Sequence, residues 1–180
     1  MVNGPSPEKG ERIDHMTNIQ WILGVEPANL PNDWRGNVKQ LFLQETGEVY
    51  ADVSIASLPI PAWDGNLLLV DMDLYPDPSS FKGLMWALPF LQDGVRIAAF
   101  ALKAEYQGFG WGSLAWNHLV GVCHANQKNF IQLEVKASNS GAIRFYRIRG
   151  LEVKKHLENY YKSGLGYMMN GPVPSNSNPN

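Results

Sequence analysis

The sequence predicts a single α/β domain in which a mixed sheet carries helices on its faces. The C-terminal half shows this most directly: a nearly continuous apolar strand is followed by a glycine-rich loop, and then helix, strand, helix and strand alternate. A chain of 180 residues has the length of one domain with a substantial core. We therefore expect one folded domain, at residues 18–170.

Composition excludes several classes of protein. Apolar residues make up 44% and charged residues 18% of the chain, as in ordinary globular proteins. The net charge of −2 gives no basis for binding nucleic acid or an anionic membrane. No window approaches the roughly 20 apolar residues of a membrane span. The single cysteine, Cys123, excludes an internal disulfide and fits a reducing compartment, so we predict a cytoplasmic protein.

Both ends of the chain are predicted to be disordered. Residues 1–17 begin with a polar stretch that contains proline and glycine, and they hold no apolar segment typical of a signal peptide. Residues 171–180 read GPVPSNSNPN, which buries too little surface to offset the entropy of ordering.

The remaining elements follow from apolar spacing and turn residues. In the N-terminal half we predict a strand at 19–25, a helix beginning at 31–33 with Trp34, Val38, Leu41 and Phe42 at helical spacing, strands at 48–56 and 67–74, and a short helix at 81–91. In the C-terminal half we predict strands at 95–102 and 130–136, helices at 110–126 and 140–149, and a closing antiparallel pair at 151–161 and 166–169.

Two segments of the C-terminal half contain the residues that point to chemistry. The glycine loop, residues 107–113, reads QGFGWGS between a strand and a helix, where backbone N–H groups and the helix start suit a phosphate. The loop could equally be a tight turn, and it matches neither a P-loop nor a G-x-G-x-x-G fingerprint. Farther on, Asn139, Ile143 and Tyr146 share one helix face. Glu134 lies on the polar side of its strand.

Residues 95–169 resemble the GCN5-related N-acetyltransferases, the GNAT superfamily. The glycine loop is similar to the family's Q/R-x-x-G-x-G/A motif, and residues 133–146 are similar to its L-E-V…N-x-x-A-I-x-x-Y block. The ending NYYKSGLGYMM, residues 159–169, is nearest the RimI-like and N-terminal acetyltransferase branch. The resemblance implies a mostly antiparallel sheet that is splayed at an acetyl-CoA site.

The resemblance also implies roles for particular residues. Glu134 would be the general base, and Tyr146 would protonate the departing thiolate as well as contact the cofactor. Tyr160 and Tyr161 would line the acceptor pocket. Acetyl-CoA, as co-substrate and without a metal, would be bound by residues of the glycine loop, of the preceding strand and of the next helix start: Phe100, Ala101, Leu102, Gln107, Gly108, Phe109, Gly110, Trp111, Gly112, Ser113 and Asn139.

Several alternatives stay open. The acceptor is a peptide N-terminal amine or a small amine such as a polyamine or amino-sugar, and a non-catalytic CoA-binding module is a third possibility. An acidic pocket wall would favour a polycation, and a shallow groove a peptide. Glu134 is either the base or a structural partner of Lys136, with Asp71, Asp73 and Glu105 as weaker candidates. His118, Cys123 and His124 do not converge on a metal site. The protein is a monomer or a homodimer.

Overall fold

The computed structural model of the protein describes residues 18–161 and 164–175. Seven strands form one sheet in the order β1-β2-β3-β4-β5-β7-β6. The strands are β1 (Ile19–Leu23), β2 (Asn66–Asp71), β3 (Phe81–Phe90), β4 (Gly94–Leu102), β5 (Phe130–Lys136), β6 (Glu152–Tyr161) and β7 (Gly164–Pro172). The α-helices are α1 (Asn32–Thr46), α2 (Asp52–Ala56), α3 (Trp111–Ala125) and α4 (Ser140–Ile148).

Strand pairing is antiparallel except between β4 and β5, which are parallel neighbours. That parallel pairing runs from Gly94–Phe130 to Ile97–Leu133 and then stops. Beyond it, residues 99–102 of β4 pair only with β3 among the described strands, so β4 and β5 diverge. The predicted α/β fold with a splayed, mostly antiparallel sheet is confirmed.

The two faces of the sheet carry separate cores. Alternate residues along each strand point to opposite faces, so neighbours such as Leu67 and Leu68 enter different cores. On one face α3 and α4 cover β4, β5 and β7. On the other, α1 and α2 cover β2 and β3, and the helix positions predicted from spacing are buried. α1 ends at Gly47, whose φ of 71° places it in the left-handed region that glycine adopts without a steric penalty.

Two predicted elements of the N-terminal half are wrong. The segment 48–56 was expected to be a half-buried strand, yet its second half is α2 and its first half is irregular. Val49 and Val53 are 75% and 72% exposed, while Ile55 is buried, so the alternation does not describe one buried face. The segment 81–91 was expected to be a helix and is the central strand β3. A strand buried on both faces reads as an unbroken apolar run, which periodicity does not distinguish from a buried helix.

The C-terminal boundary also differs from the expectation. β7 continues through Gly171 and Pro172, because Pro172 pairs with Phe130 of β5. The backbone N–H of Val173 then donates to the Asn129 carbonyl. The segment predicted as a disordered tail from residue 171 is therefore ordered at its start. Residues 1–17 and 176–180, both predicted to be disordered, lie outside the described residues.

Candidate active site

The divergence of β4 and β5 opens a cleft of about 390 Å³. Because this part of β4 has no described strand paired on its β5 side, alternate N–H and C=O groups of residues 98–102 face the gap. Most of the residues predicted to bind acetyl-CoA line this cleft, namely Phe100, Ala101, Leu102, Gln107, Gly108, Gly112, Asn139 and Tyr146. Most of the residues that the sequence motifs grouped thus lie around one cleft.

The glycine loop forms one wall and leads into α3. Gly108 and Gly110 have φ values of +79° and +89°, which other residues adopt only with strain. A Cβ on either would meet no atom within 4 Å, so the requirement for glycine is conformational. The described first turn of α3 contains no acidic side chain. Backbone N–H groups at this helix start suit a phosphate, and the loop fits a coenzyme A pyrophosphate.

Glu45 and Arg149, which the sequence motifs did not indicate, form hydrogen bonds with residues of the loop. Gln107 Nε2 donates to the Glu45 carboxylate at 2.8 Å and to the Leu102 carbonyl at 2.9 Å, so the last turn of α1 contacts the loop. Arg149 Nη2 donates to the Ser113 hydroxyl at 2.7 Å, and the guanidinium lies 3.6 Å from the centroid of the Phe145 ring. Its positive charge therefore lies beside the start of α3.

Not every predicted loop residue reaches the cleft through its side chain. The Trp111 carbonyl accepts a bond from Trp21 Nε1 at 2.9 Å, and the Trp111 ring lines a groove beside β1. Trp111 therefore offers the loop its backbone only. Phe109, Gly110 and Ser113 likewise do not line the cleft, although all three belong to the loop.

Tyr146 is buried at the base of the cleft on α4. Burial raises the pKa of its phenol above the ordinary value near 10, the nearby Tyr161 adds to this, and the Arg149 charge opposes it. The phenol therefore holds its proton at neutral pH. Asn139 caps α4, since its Oδ1 accepts the Ala142 N–H at 3.1 Å.

On the face of the sheet that points away from α3 and α4, Arg96 of β4 and Glu134 and Lys136 of β5 form what we call the charged face. Arg96 Nε donates to Glu134 Oε2 at 3.0 Å. Lys136 Nζ lies 3.1 Å from a Glu48 carboxylate oxygen and also donates to the Thr46 carbonyl at the end of α1. Each carboxylate of this region is therefore matched with a cation, and Glu48 was not anticipated from the sequence.

Tyr160 and Tyr161 border the charged face at the end of β6. The centroids of their rings are 4.9 Å apart in an edge-to-face arrangement. Lys136 Nζ lies 5.6 Å from the centroid of the Tyr161 ring. Burial raises the pKa of Tyr161, and Tyr160, Tyr50, Glu134 and Glu48 raise it further. These groups therefore surround one small region, with the Tyr160 side chain exposed beside it.

The weaker candidates lie elsewhere. The Asp71 carboxylate accepts the Asp73 backbone N–H, the Asp73 carboxylate accepts from Asn18 Nδ2, and Glu105 is exposed. Burial raises the pKa of the Cys123 thiol to about 11, which disfavours a nucleophilic thiolate. Among residues 18–161 and 164–175 there is no group of three side chains placed to hold a metal ion.

The described helices are all too short or too polar to span a membrane. A cytoplasmic location stays a prediction.

Fold and site together define an α/β domain with a ligand cleft at the divergence of two parallel strands. The sequence model of the acetyltransferase (GNAT) family matches residues 74–151. This part of the chain is therefore similar to the GNAT family, the family that its motifs resemble. A curated relative, N-alpha-acetyltransferase 50 of Danio rerio, is 33% identical over 72 residues, or 39% of this chain and 43% of that protein. The match thus spans less than half of that relative.

Solved structures share the fold over most of the chain. Ard1 from Thermoplasma volcanium has a TM-score of 0.73 at 21% identity, covering 88% of this chain and 100% of that one. Naa50 of Arabidopsis thaliana, solved with the bisubstrate analogue CoA-Ac-MVNAL, has a TM-score of 0.65 at 22% identity, covering 86% and 98%. The ribosomal-protein-S18-alanine N-acetyltransferase from Escherichia coli has a TM-score of 0.66 at 18% identity, covering 89% of this chain and 97% of that one.

Proposed function

We propose that the protein transfers the acetyl group of acetyl-CoA to the N-terminal α-amine of a peptide. The observation that carries this proposal is the gap between β4 and β5, which the glycine loop lines, with Glu134 directly after the last residue of β5 that pairs with β4. The match of residues 74–151 to the acetyltransferase (GNAT) family model supports it, as does the similarity to a relative named N-alpha-acetyltransferase 50. A neighbour was solved with an analogue that joins CoA to the peptide sequence MVNAL.

The chain's own residues would carry out the transfer directly. The glycine loop would hold the pyrophosphate, and free N–H groups of residues 98–102 would bind the thioester arm and stabilise the oxyanion. Glu134, directly or through water, would take the proton that leaves the amine as its nitrogen attacks the acetyl carbon. When the carbon–sulfur bond breaks, Tyr146 would give its proton to the thiolate. No covalent enzyme intermediate is needed.

The charge balance of the acceptor region favours a peptide over a polyamine. Glu134 is paired with Arg96, and Glu48 with Lys136, so neither carboxylate supplies surplus negative charge for a polycation. The exposed Tyr160 ring borders this region and offers an apolar surface for a first side chain. A peptide presents one attacking amine and no further positive charge of its own backbone, so it suits this region better than a polyamine does.

The test is a thiol-release assay with acetyl-CoA and a matched panel of acceptors. The panel contains the peptide MVNAL, the same peptide blocked at its N-terminus, spermidine and an amino-sugar. We expect release with the free peptide alone and a mass increase of one acetyl group at its α-amine. Tyr146→Phe should lower kcat about 100-fold while acetyl-CoA binding persists.

Other outcomes would overturn the proposal in distinguishable ways. Turnover of spermidine or the amino-sugar, with no peptide turnover, would make the protein a small-amine acetyltransferase. Acetyl-CoA binding without turnover of any amine would indicate a non-catalytic module. Absence of binding by the folded protein would remove acetyl transfer altogether.

A further inference from the structure

Arg96 is the side chain that links the three strands around the proposed base. Its Nε donates to Glu134 Oε2 at 3.0 Å, and its Nη2 lies 3.5 Å from the Tyr160 hydroxyl. The three residues lie on β4, β5 and β6, which are separate in the chain. A guanidinium offers several donors in a fixed plane, so one arginine can fix two partners relative to each other.

The position of this pair in the sheet is informative. Arg96 comes directly before Ile97 and Glu134 directly after Leu133, the last two residues at which β4 and β5 are paired. The ion pair therefore crosses the point where the strands separate, on the face opposite the buried Ile97 and Leu133 side chains. The proposed base thus lies at the opening where a thioester and an amine would meet.

The carboxylate is held by one oxygen and left available at the other. The Glu134 side chain is 14% exposed and that of Arg96 33%, so the carboxylate is largely sheltered from water while the guanidinium is partly exposed. Arg96 occupies Oε2, and no described residue donates to Oε1. A carboxylate fixed in this way can direct Oε1 toward the proton of an incoming amine or of a bridging water.

We propose that Arg96 is a positioning residue for acetyl transfer, which fixes the Glu134 carboxylate in the orientation needed to receive the proton of the acceptor amine. The inference rests on the proposed function, because it assigns Arg96 a role only through Glu134. In this role Arg96 would act through Glu134 and not on the acetyl group or the amine. Its contact with Tyr160 also holds the end of β6 beside the base.

A double-mutant cycle separates this role from a structural one. The variants are Arg96→Met, Glu134→Gln and the combination, assayed with acetyl-CoA and the peptide MVNAL. We expect Arg96→Met to lower kcat about tenfold with the KM for acetyl-CoA unchanged, since a displaced base misses the attacking amine. In the Glu134→Gln background the same change should have no further effect. Arg96→Lys should recover part of kcat, because an ammonium can still pair with Oε2.

Arg147 provides a control, and two results would contradict the inference or its basis. Arg147→Met removes an exposed arginine of α4 and should leave kcat unchanged. If Arg96→Met does not fold, Arg96→Gln keeps a donor and replaces it in the cycle. Equal losses from Arg96→Met with and without Glu134 would overturn the inference. Full activity of Glu134→Gln would instead remove the base from the proposed function, while peptide turnover itself would stand.

Discussion

The glycine loop lines the cleft, whereas the charged face lies on β4 and β5, and the two regions are built in different ways. The loop works through backbone: two glycines with positive φ and a helix start, with few side chains reaching the cleft. The charged face works through side chains that meet from distant parts of the chain, as in Lys136 with Glu48. The first kind of site depends on conformation, and the second on the pairing of charges in a sheltered place.

The largest expected effect tests the charged face through Lys136→Met. The Lys136 and Glu48 side chains are only 15% and 11% exposed, so removing the cation leaves a sheltered carboxylate without its ion pair. The Thr46 carbonyl at the end of α1 also loses a donor. We expect the free energy of unfolding, measured with urea, to fall by about 2 kcal/mol.

The matched control is the exposed pair of Lys154 and Glu152. Its atoms are 3.0 Å apart, but its side chains are 48% and 75% exposed. Lys154→Met should therefore change the free energy of unfolding by less than about 0.5 kcal/mol. Similar losses in both variants would show that the charged face gains nothing from shelter, and the comparison between loop and face would fail.

The next effect tests the glycine loop. Gly110→Ala places a Cβ on a residue with φ of +89°, which costs about 1–2 kcal/mol in the loop conformation. We expect calorimetry to show acetyl-CoA binding about tenfold weaker. Gly121→Ala, at an exposed helical glycine with open space around it, should leave binding unchanged. Unchanged binding by Gly110→Ala would mean that the loop is a turn and not a phosphate site.

The smallest expected effect concerns alkaline pH and the burial of Tyr146. The folded protein holds this phenolic proton above the ordinary pKa near 10, whereas the unfolded chain releases it there. The contribution of the protonated Tyr146 to the free energy of unfolding is therefore fully present below pH 10, and it is lost as the pH rises further. Tyr146→Phe should make this loss less steep, by up to about 1.4 kcal/mol per pH unit. Urea unfolding at pH 9 to 11 measures it, and a decline equally steep in the variant would contradict it.

Residues close in sequence account for what could be predicted. The strand, loop and helix around Gly108 and Gly110 form one continuous segment, and the face shared by Ile143 and Tyr146 lies within one helix. Local spacing fixes such features directly. β5 was predicted with its observed bounds, and the buried positions of α1 followed from helical spacing.

The errors and omissions have a common physical cause. β3 was mistaken for a helix because burial on both faces removes the period-two signal of a strand. Glu48 was placed in a strand, although its side chain turns inward to meet Lys136. No local pattern records that contact, or the contact of Arg96 with Glu134, because each depends on how separate elements are brought together by the fold.

The free edge of β4 also bears on self-association. An open strand edge inside a sheet can recruit a strand from another chain, and proteins usually prevent this with charge, brevity or cover. Here Phe145 of α4 and Glu45 of α1 line the same cleft as residues 100–102 of this edge, so a second strand would have to displace them to pair along it. The walls that would hold a thioester arm would therefore also hinder the sheet from growing into a neighbouring molecule.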